Sequence, residues 1–215
     1  MIKMSTSNKG AFISFEGIDG CGKSTQVKLL LEKLDKEDIA CSLIREPGGT
    51  QVSEEIRSVL LKTRTENMSS RAEALLMTAS RAQLTKEKIK PALEDGICII
   101  ADRYKDSTLA YQGGGRGINI EYLIELNNFA TYDLDPDLTI LIDISSVEAK
   151  NRSVVSDPDR IESAGLEFQE EVRNLYLELA DRFPERFLKI DGNESIEVIH
   201  GRIWEKTINC INAKK

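Results

Sequence analysis

Four short apolar runs, AFISFE (11–16), CSLIRE (41–46), ICIIAD (97–102) and LTILID (138–143), each give way to a turn or polar loop and then to helical patterning. Near-continuous apolar runs of this length predict strands buried on both faces of a parallel sheet. A fifth run, FLKIDG (187–192), is weaker but ends in the same way. Between the runs, Val27, Leu30, Leu31 and Leu34 recur at helical spacing, as do Leu166, Val172, Leu175 and Leu179. Strands alternating with helices predict an α/β fold with a five-stranded parallel sheet between two helical layers. Ligands in such folds gather beyond the carboxyl ends of the strands, so the residues following each run are the ones to search for chemistry.

Composition narrows the class. At 215 residues the chain fits a single domain spanning residues 1–215, and there is no internal repeat or low-complexity tract. Lys and Arg number 29 against 36 Asp and Glu, a net charge of -7. That balance argues against a nucleic-acid polymer as partner, which a broad basic face would have to neutralise. Cys21, Cys41, Cys98 and Cys210 form no C-x-x-C pair, so neither a zinc site nor a disulfide framework is indicated. The opening segment lacks the apolar stretch of a signal peptide, and no run approaches the roughly 20 residues of a membrane helix. A cytoplasmic protein with no membrane partner is expected. His200 is the sole histidine, which leaves arginine, lysine, carboxylates or a metal to carry any chemistry.

Three stretches read as working loops: REPGGTQ (45–51), YQGGGRG (111–117) and SVVSDPDR (153–160). A fourth is more specific. In FEGIDGCGKST (15–25), Gly17, Gly22, Lys23 and Ser24 fit G-x-x-x-x-G-K-[ST] between a predicted strand and a predicted helix. Such a P-loop turns successive backbone N–H groups toward phosphate oxygens and adds the positive end of the helix that follows. Gly17, Ile18, Asp19, Gly20, Cys21, Gly22, Lys23, Ser24 and Thr25 are therefore the expected ATP-binding residues. Lys23 would reach the β- and γ-phosphates and the Ser24 hydroxyl would ligate Mg²⁺. No N-K-x-D motif for guanine is present, and the early lysine of partitioning ATPases is missing. Asp19 is an odd residue in such a loop. Several phosphate charges would repel it, so it is expected to turn away from them toward a second substrate.

Phosphoryl transfer between two anions needs positive charge around both. Arg45 closes the second predicted strand, Arg103 the third, and Arg81 lies on a predicted helix. Arginine suits the task because its planar fork binds phosphate bidentately and stays charged. Three arginines converging on one sheet edge point to a second phosphate-bearing substrate.

FEGIDGCGKST, REPGGT, ADRYKDSTLAYQGGG and DRIE, in this order and spacing, together resemble the bacterial thymidylate kinase family, and the resemblance covers nearly the whole chain. It implies a P-loop kinase fold with a mobile lid at about 150–163, a homodimer, and transfer of the γ-phosphate of ATP to dTMP with Mg²⁺. Arg103 would hold the dTMP phosphate, with Asp102 beside it near the metal, where Asp143 is the competing candidate. Arg81 would meet the thymine edge, Thr108 the base and Tyr111 the deoxyribose, with Gln112 lining the same pocket. Glu46 and Pro47, joined by a strained or cis bond, would shape the acceptor site beside Arg45, which lies near the transferring phosphate. Asp19 would accept from the 3′-hydroxyl of dTMP.

Two positions depart from the family pattern. Met77 stands where a phenylalanine usually covers thymine; a thioether can still cover an aromatic face. The lid segment KNRSVVSDPDRIE keeps only Lys150, Arg152 and Arg160 as cations, so either Arg152 or Arg160 is expected in the transition state or the enzyme is slow, with an ion pair to Glu162 or a neighbour the competing role for Arg160. Another nucleoside monophosphate kinase, or a nucleotide-binding sensor without transfer activity, are the alternative readings.

Overall fold

The computed structural model describes residues 9–62, 68–152 and 159–214. Five strands form one parallel sheet: β1 (Phe12–Glu16), β2 (Cys41–Arg45), β3 (Cys98–Asp102), β4 (Leu138–Asp143) and β5 (Phe187–Asp191). Their order is β2-β3-β1-β4-β5, so the connectivity switches direction about the central β1. In register, Asp102 faces both Phe15 and Arg45, which brings the carboxyl ends of β1, β2 and β3 level. That shared edge is where the site is built.

The helices are α1 (Lys23–Lys36), α2 (Gln51–Leu61), α3 (Ser70–Leu84), α4 (Lys90–Glu94), α5 (Lys105–Thr108), α6 (Ile120–Thr131), α7 (Ser146–Arg152), α8 (Leu166–Arg182) and α9 (Ile196–Asn212). Successive strand residues point to opposite faces, and the core divides accordingly. Phe12, Ile99 and Ala101 pack with Leu84, Ile89 and Leu93 of the α3–α4 layer. Ile13, Phe15 and Ile100 pack with Val27, Leu30 and Leu34 of α1 and with Ile199 and Ile203 of α9. The expected helical layers on both faces of five parallel strands are therefore present. Among the described residues no helix is long and apolar enough to cross a membrane.

One expected loop is instead helical. YQGGGRG does not form a free glycine loop: Leu109–Gly115 is a π-helical turn that continues α5. Its glycines serve packing rather than turning. A Cβ on Gly115 would lie 2.3 Å from Phe168, and one on Gly114 would lie 2.6 Å from the Glu171 carbonyl, so α8 approaches as closely as it does only because these side chains are absent. Residues 153–158 of the expected lid lie outside the described residues. Arg152 ends α7, and Arg160 precedes a short 3₁₀ turn at Glu162–Ala164.

Candidate active site

The phosphate loop connects β1 to α1. Gly17, Gly20 and Gly22 have φ of 136°, 85° and 103°, values open to glycine, and a Cβ on Gly20 would lie 2.3 Å from the Ala149 carbonyl of α7. Lys23 Nζ donates to the carbonyls of Gly17 (2.9 Å) and Ile18 (3.0 Å) and lies 4.0 Å from Asp19. Helix α1 begins with no side-chain cap and no acidic residue in its first turn, so its N–H groups and positive end face the loop unopposed. Asp19, Gly20, Gly22, Lys23, Ser24, Thr25, Asp102 and Arg103 line one cavity.

A second cavity opens beside it and shares Asp19, Asp102 and Arg103. Arg45, Glu46, Pro47, Met77, Arg81, Thr108 and Tyr111 also line it, so the three arginines picked out by position do converge. The Glu46–Pro47 bond is cis. Arg81, nearly fully buried, donates from Nε to Glu46 (2.6 Å) and from Nη1 to Thr108 (2.8 Å) and Asn127 (2.6 Å), while Nη2 donates to the Tyr104 carbonyl (3.1 Å). Its nitrogens are thus all engaged within the protein. Burial raises the Glu46 carboxyl above its usual range and Arg81 opposes the rise. Among the described residues Glu46 Oε1 is buried without a partner.

Arg103 follows β3 with φ 73°, a left-handed conformation rare for a residue with a side chain. Its Nη2 donates to Asp19 Oδ1 (2.5 Å) and to the Tyr111 hydroxyl (3.0 Å), which donates in turn to Asp19 Oδ2 (3.2 Å). Burial alone would raise the Asp19 carboxyl, but Arg103, then Lys23, outweigh it and hold it at about 2. Asp19 is therefore ionised, and it sits at the boundary of the two cavities, lining both. Asp143 forms a bidentate pair with Arg173 (2.7 and 3.1 Å), which leaves Asp102 as the strand-end carboxylate facing both cavities.

A family model described as thymidylate kinase matches residues 15–203. The chain belongs to the thymidylate kinase family. Thymidylate kinases of Caldanaerobacter subterraneus subsp. tengcongensis and Fervidobacterium nodosum are each 48% identical to it over 192 residues, covering 89% of this chain and 92% and 95% of theirs. The thymidylate kinase of Enterococcus faecalis is 45% identical over 195 residues, covering 89% of this chain and 92% of its own.

Not every residue expected from the thymidylate kinase pattern reaches the cavities. Gln112 is not in the lining; its amide donates to Glu73 (2.8 Å), behind the cavity wall, because the π-turn rotates it toward α3. Arg160 pairs with Glu73 of α3 (2.6 Å) and donates to the Leu60 carbonyl (3.0 Å); the expected pairing with Glu162 lies outside the described side chains. Arg152 bridges Glu148 (2.9 Å) and the turn after β5, donating to Gly192 (2.8 Å) and Asn193 (3.0 Å). Neither lid arginine lines either cavity.

The structure also adds a residue that no motif marked. Arg57 of α2 lines the second cavity and donates to the Pro47 carbonyl (2.9 Å), while Asp159 and Ile161 of the DRIE stretch close the same wall. Spacing could not reveal Arg57, since only the docking of α2 brings it in. The oxygen donors Ser24 and Asp102 line one cavity with the phosphate loop, a hard-ligand pair suited to Mg²⁺, which takes one or two protein oxygens plus substrate phosphates. Among the described residues no cluster of three or more His, Cys, Asp or Glu could hold a metal ion.

Proposed function

We propose that this chain transfers the γ-phosphoryl group of ATP to dTMP, yielding ADP and dTDP, as a step in dTTP biosynthesis. The carrying observation is that a phosphate-loop cavity and an arginine-rich cavity meet at Asp19, Asp102 and Arg103. ATP phosphates lie along the loop from Gly17 to Thr25 with Lys23 on the β- and γ-oxygens. The dTMP phosphate binds Arg103, with Arg45 close to the transferring group. Thymine lies against Met77 near Arg81 and Thr108, the deoxyribose lies on Tyr111, and Glu46 and Pro47 shape the wall. Ser24 and Asp102 would hold Mg²⁺, which when bound offsets negative charge on the phosphates. No general base is needed, because the acceptor phosphate is ionised near neutral pH and attacks directly. Positioning and fixed positive charge supply the catalysis.

The working form is a homodimer in the cytoplasm. Support for pairing is an apolar face on adjoining helices: Phe129 and Tyr122 of α6, seven residues apart, are 86% and 71% exposed, and Leu75 of α3 is 56% exposed. Sedimentation of wild type and Phe129→Asp tests it; a wild-type monomer removes it. For the reaction, a coupled ADP assay across the common nucleoside monophosphates is decisive. dTMP is expected to lead clearly, and a rate no better than with CMP or AMP sinks the reading.

A further inference from the structure

One carboxylate grips Arg103 at both ends. On the main-chain side, the amide that follows the left-handed Arg103, that of Tyr104, donates to Glu16 Oε1 at 2.8 Å. On the guanidinium side, Nη1 donates to the Gly17 carbonyl (2.9 Å) and to the hydroxyls of Ser107 and Tyr176 (both 3.3 Å). Those two hydroxyls lie 2.6 and 2.8 Å from Glu16 Oε2 and donate to it. Glu16 ends β1, is completely buried, and lines neither cavity.

We propose that Glu16 is a positioning residue for the acceptor phosphate, acting through Arg103. The proposal rests on the functional reading above, in which Arg103 receives that phosphate. A backbone in the left-handed region persists only where its surroundings fix it, and Glu16 Oε1 provides the fixing bond one residue on. An ionised Oε2 can only accept, so it draws the hydroxyl hydrogens of Ser107 and Tyr176 to itself. Their lone pairs are left for Nη1. The guanidinium is thereby held at Nη1 by Gly17, Ser107 and Tyr176 and at Nη2 by Asp19 and Tyr111, with its plane set before substrate arrives. In Glu16→Gln the new amide N–H points into the same two hydroxyls and competes with Arg103 for their lone pairs.

The test is steady-state kinetics at mildly alkaline pH on wild type, Glu16→Gln, Tyr176→Phe, Arg103→Ala and the double variant Glu16→Gln/Arg103→Ala. Glu16→Gln is expected to raise the KM for dTMP about ten-fold and to leave the KM for ATP within about two-fold. Tyr176→Phe, which keeps the ring and loses one arm of the relay, should move the same constant in the same direction. The double variant should be no worse than Arg103→Ala alone, since residues acting as one unit are not additive. Equal changes in both KM values, or full additivity with Arg103→Ala, overturn the proposal; a purely structural loss would lower active protein without splitting the constants. If Glu16→Gln does not fold, Tyr176→Phe decides, and an unchanged dTMP KM there rejects the relay. Failure of the functional reading is separate, because it appears in wild type as no preference for dTMP.

Discussion

The guanidinium of Arg103 and the carboxylate of Asp19 meet at 2.5 Å, with Tyr111 hydrogen-bonded to both. The carboxylate of the phosphate loop thus holds a cation at the boundary of the two cavities, and in the proposed reaction that cation receives dTMP. Asp19→Asn keeps the shape and removes the charge. It should cost about 1.5–3 kcal/mol of dTMP binding, the range for a hydrogen bond to a charged group, with a smaller change for ATP. Calorimetric titration of each nucleotide checks this, and a larger loss for ATP would reassign Asp19 to the donor. Because its carboxyl lies at about 2, Asp19 contributes stability that is present above its ordinary 3.8 and lost as pH falls toward 2.

How much of this was legible in the chain can be seen from individual residues. The five strands and the phosphate loop announce themselves locally, through apolar runs and glycine spacing, and all appear where expected. Arg45 and Arg103 were also readable, because residues at and just past strand ends face the site in any such sheet; Arg81 reaches it from α3. Arg57, Tyr176 and Glu73 were not. Each sits within a helix in an ordinary amphipathic pattern and gains its partner only when other elements dock. The glycines 113–115 misled for a related reason. Locally they signal a loop, whereas here they make room for Phe168 and Glu171 of α8.

The two lid arginines should separate. Arg160 pairs with Glu73, which is buried and also held by Gln112 and Arg116. Arg160→Ala should therefore cost about 2 kcal/mol of stability, less than orphaning a buried charge outright, and lower Tm by about 4–8 °C. Arg152 makes a half-exposed pair with Glu148 worth under about 1 kcal/mol. Arg152→Ala should leave Tm nearly unchanged and raise the KM for ATP, because it loosens α7 beside the phosphate loop. Thermal unfolding and kinetics on both variants check the contrast, and matching profiles would refute it.

Met77 lines the acceptor cavity in the place of an aromatic ring. Met77→Phe should tighten dTMP by about 0.5–1.5 kcal/mol through stacking without altering ATP binding. Competition between dTMP and dUMP reads the selectivity. No gain for dTMP would mean that the cavity is too narrow for a flat ring there.

Glu16 sets a pH dependence whose sign follows from its surroundings. It faces Asp106 and Ser107 of α5, Arg103 and Tyr104 after β3, and Tyr176 of α8; Asp106 is itself paired with Arg186 (2.6 and 2.8 Å). Burial, then Asp106, push its carboxyl from an ordinary 4.5 up to about 7, against the hydrogen bond from Ser107, the charge of Arg103 and the hydrogen bond from Tyr176. The folded protein therefore keeps a proton that the unfolded chain releases. Stability falls as pH rises from about 4.5 to about 7 and levels above that, by on the order of 3 kcal/mol. Glu16→Gln cannot titrate, so the stability difference between wild type and variant should decline across that window and stay constant beyond it. Denaturant unfolding of both proteins at steps from pH 4.5 to 8 measures the difference directly. A difference that is flat across the window would show that Glu16 is ionised throughout, with Arg103, Ser107 and Tyr176 outweighing its burial.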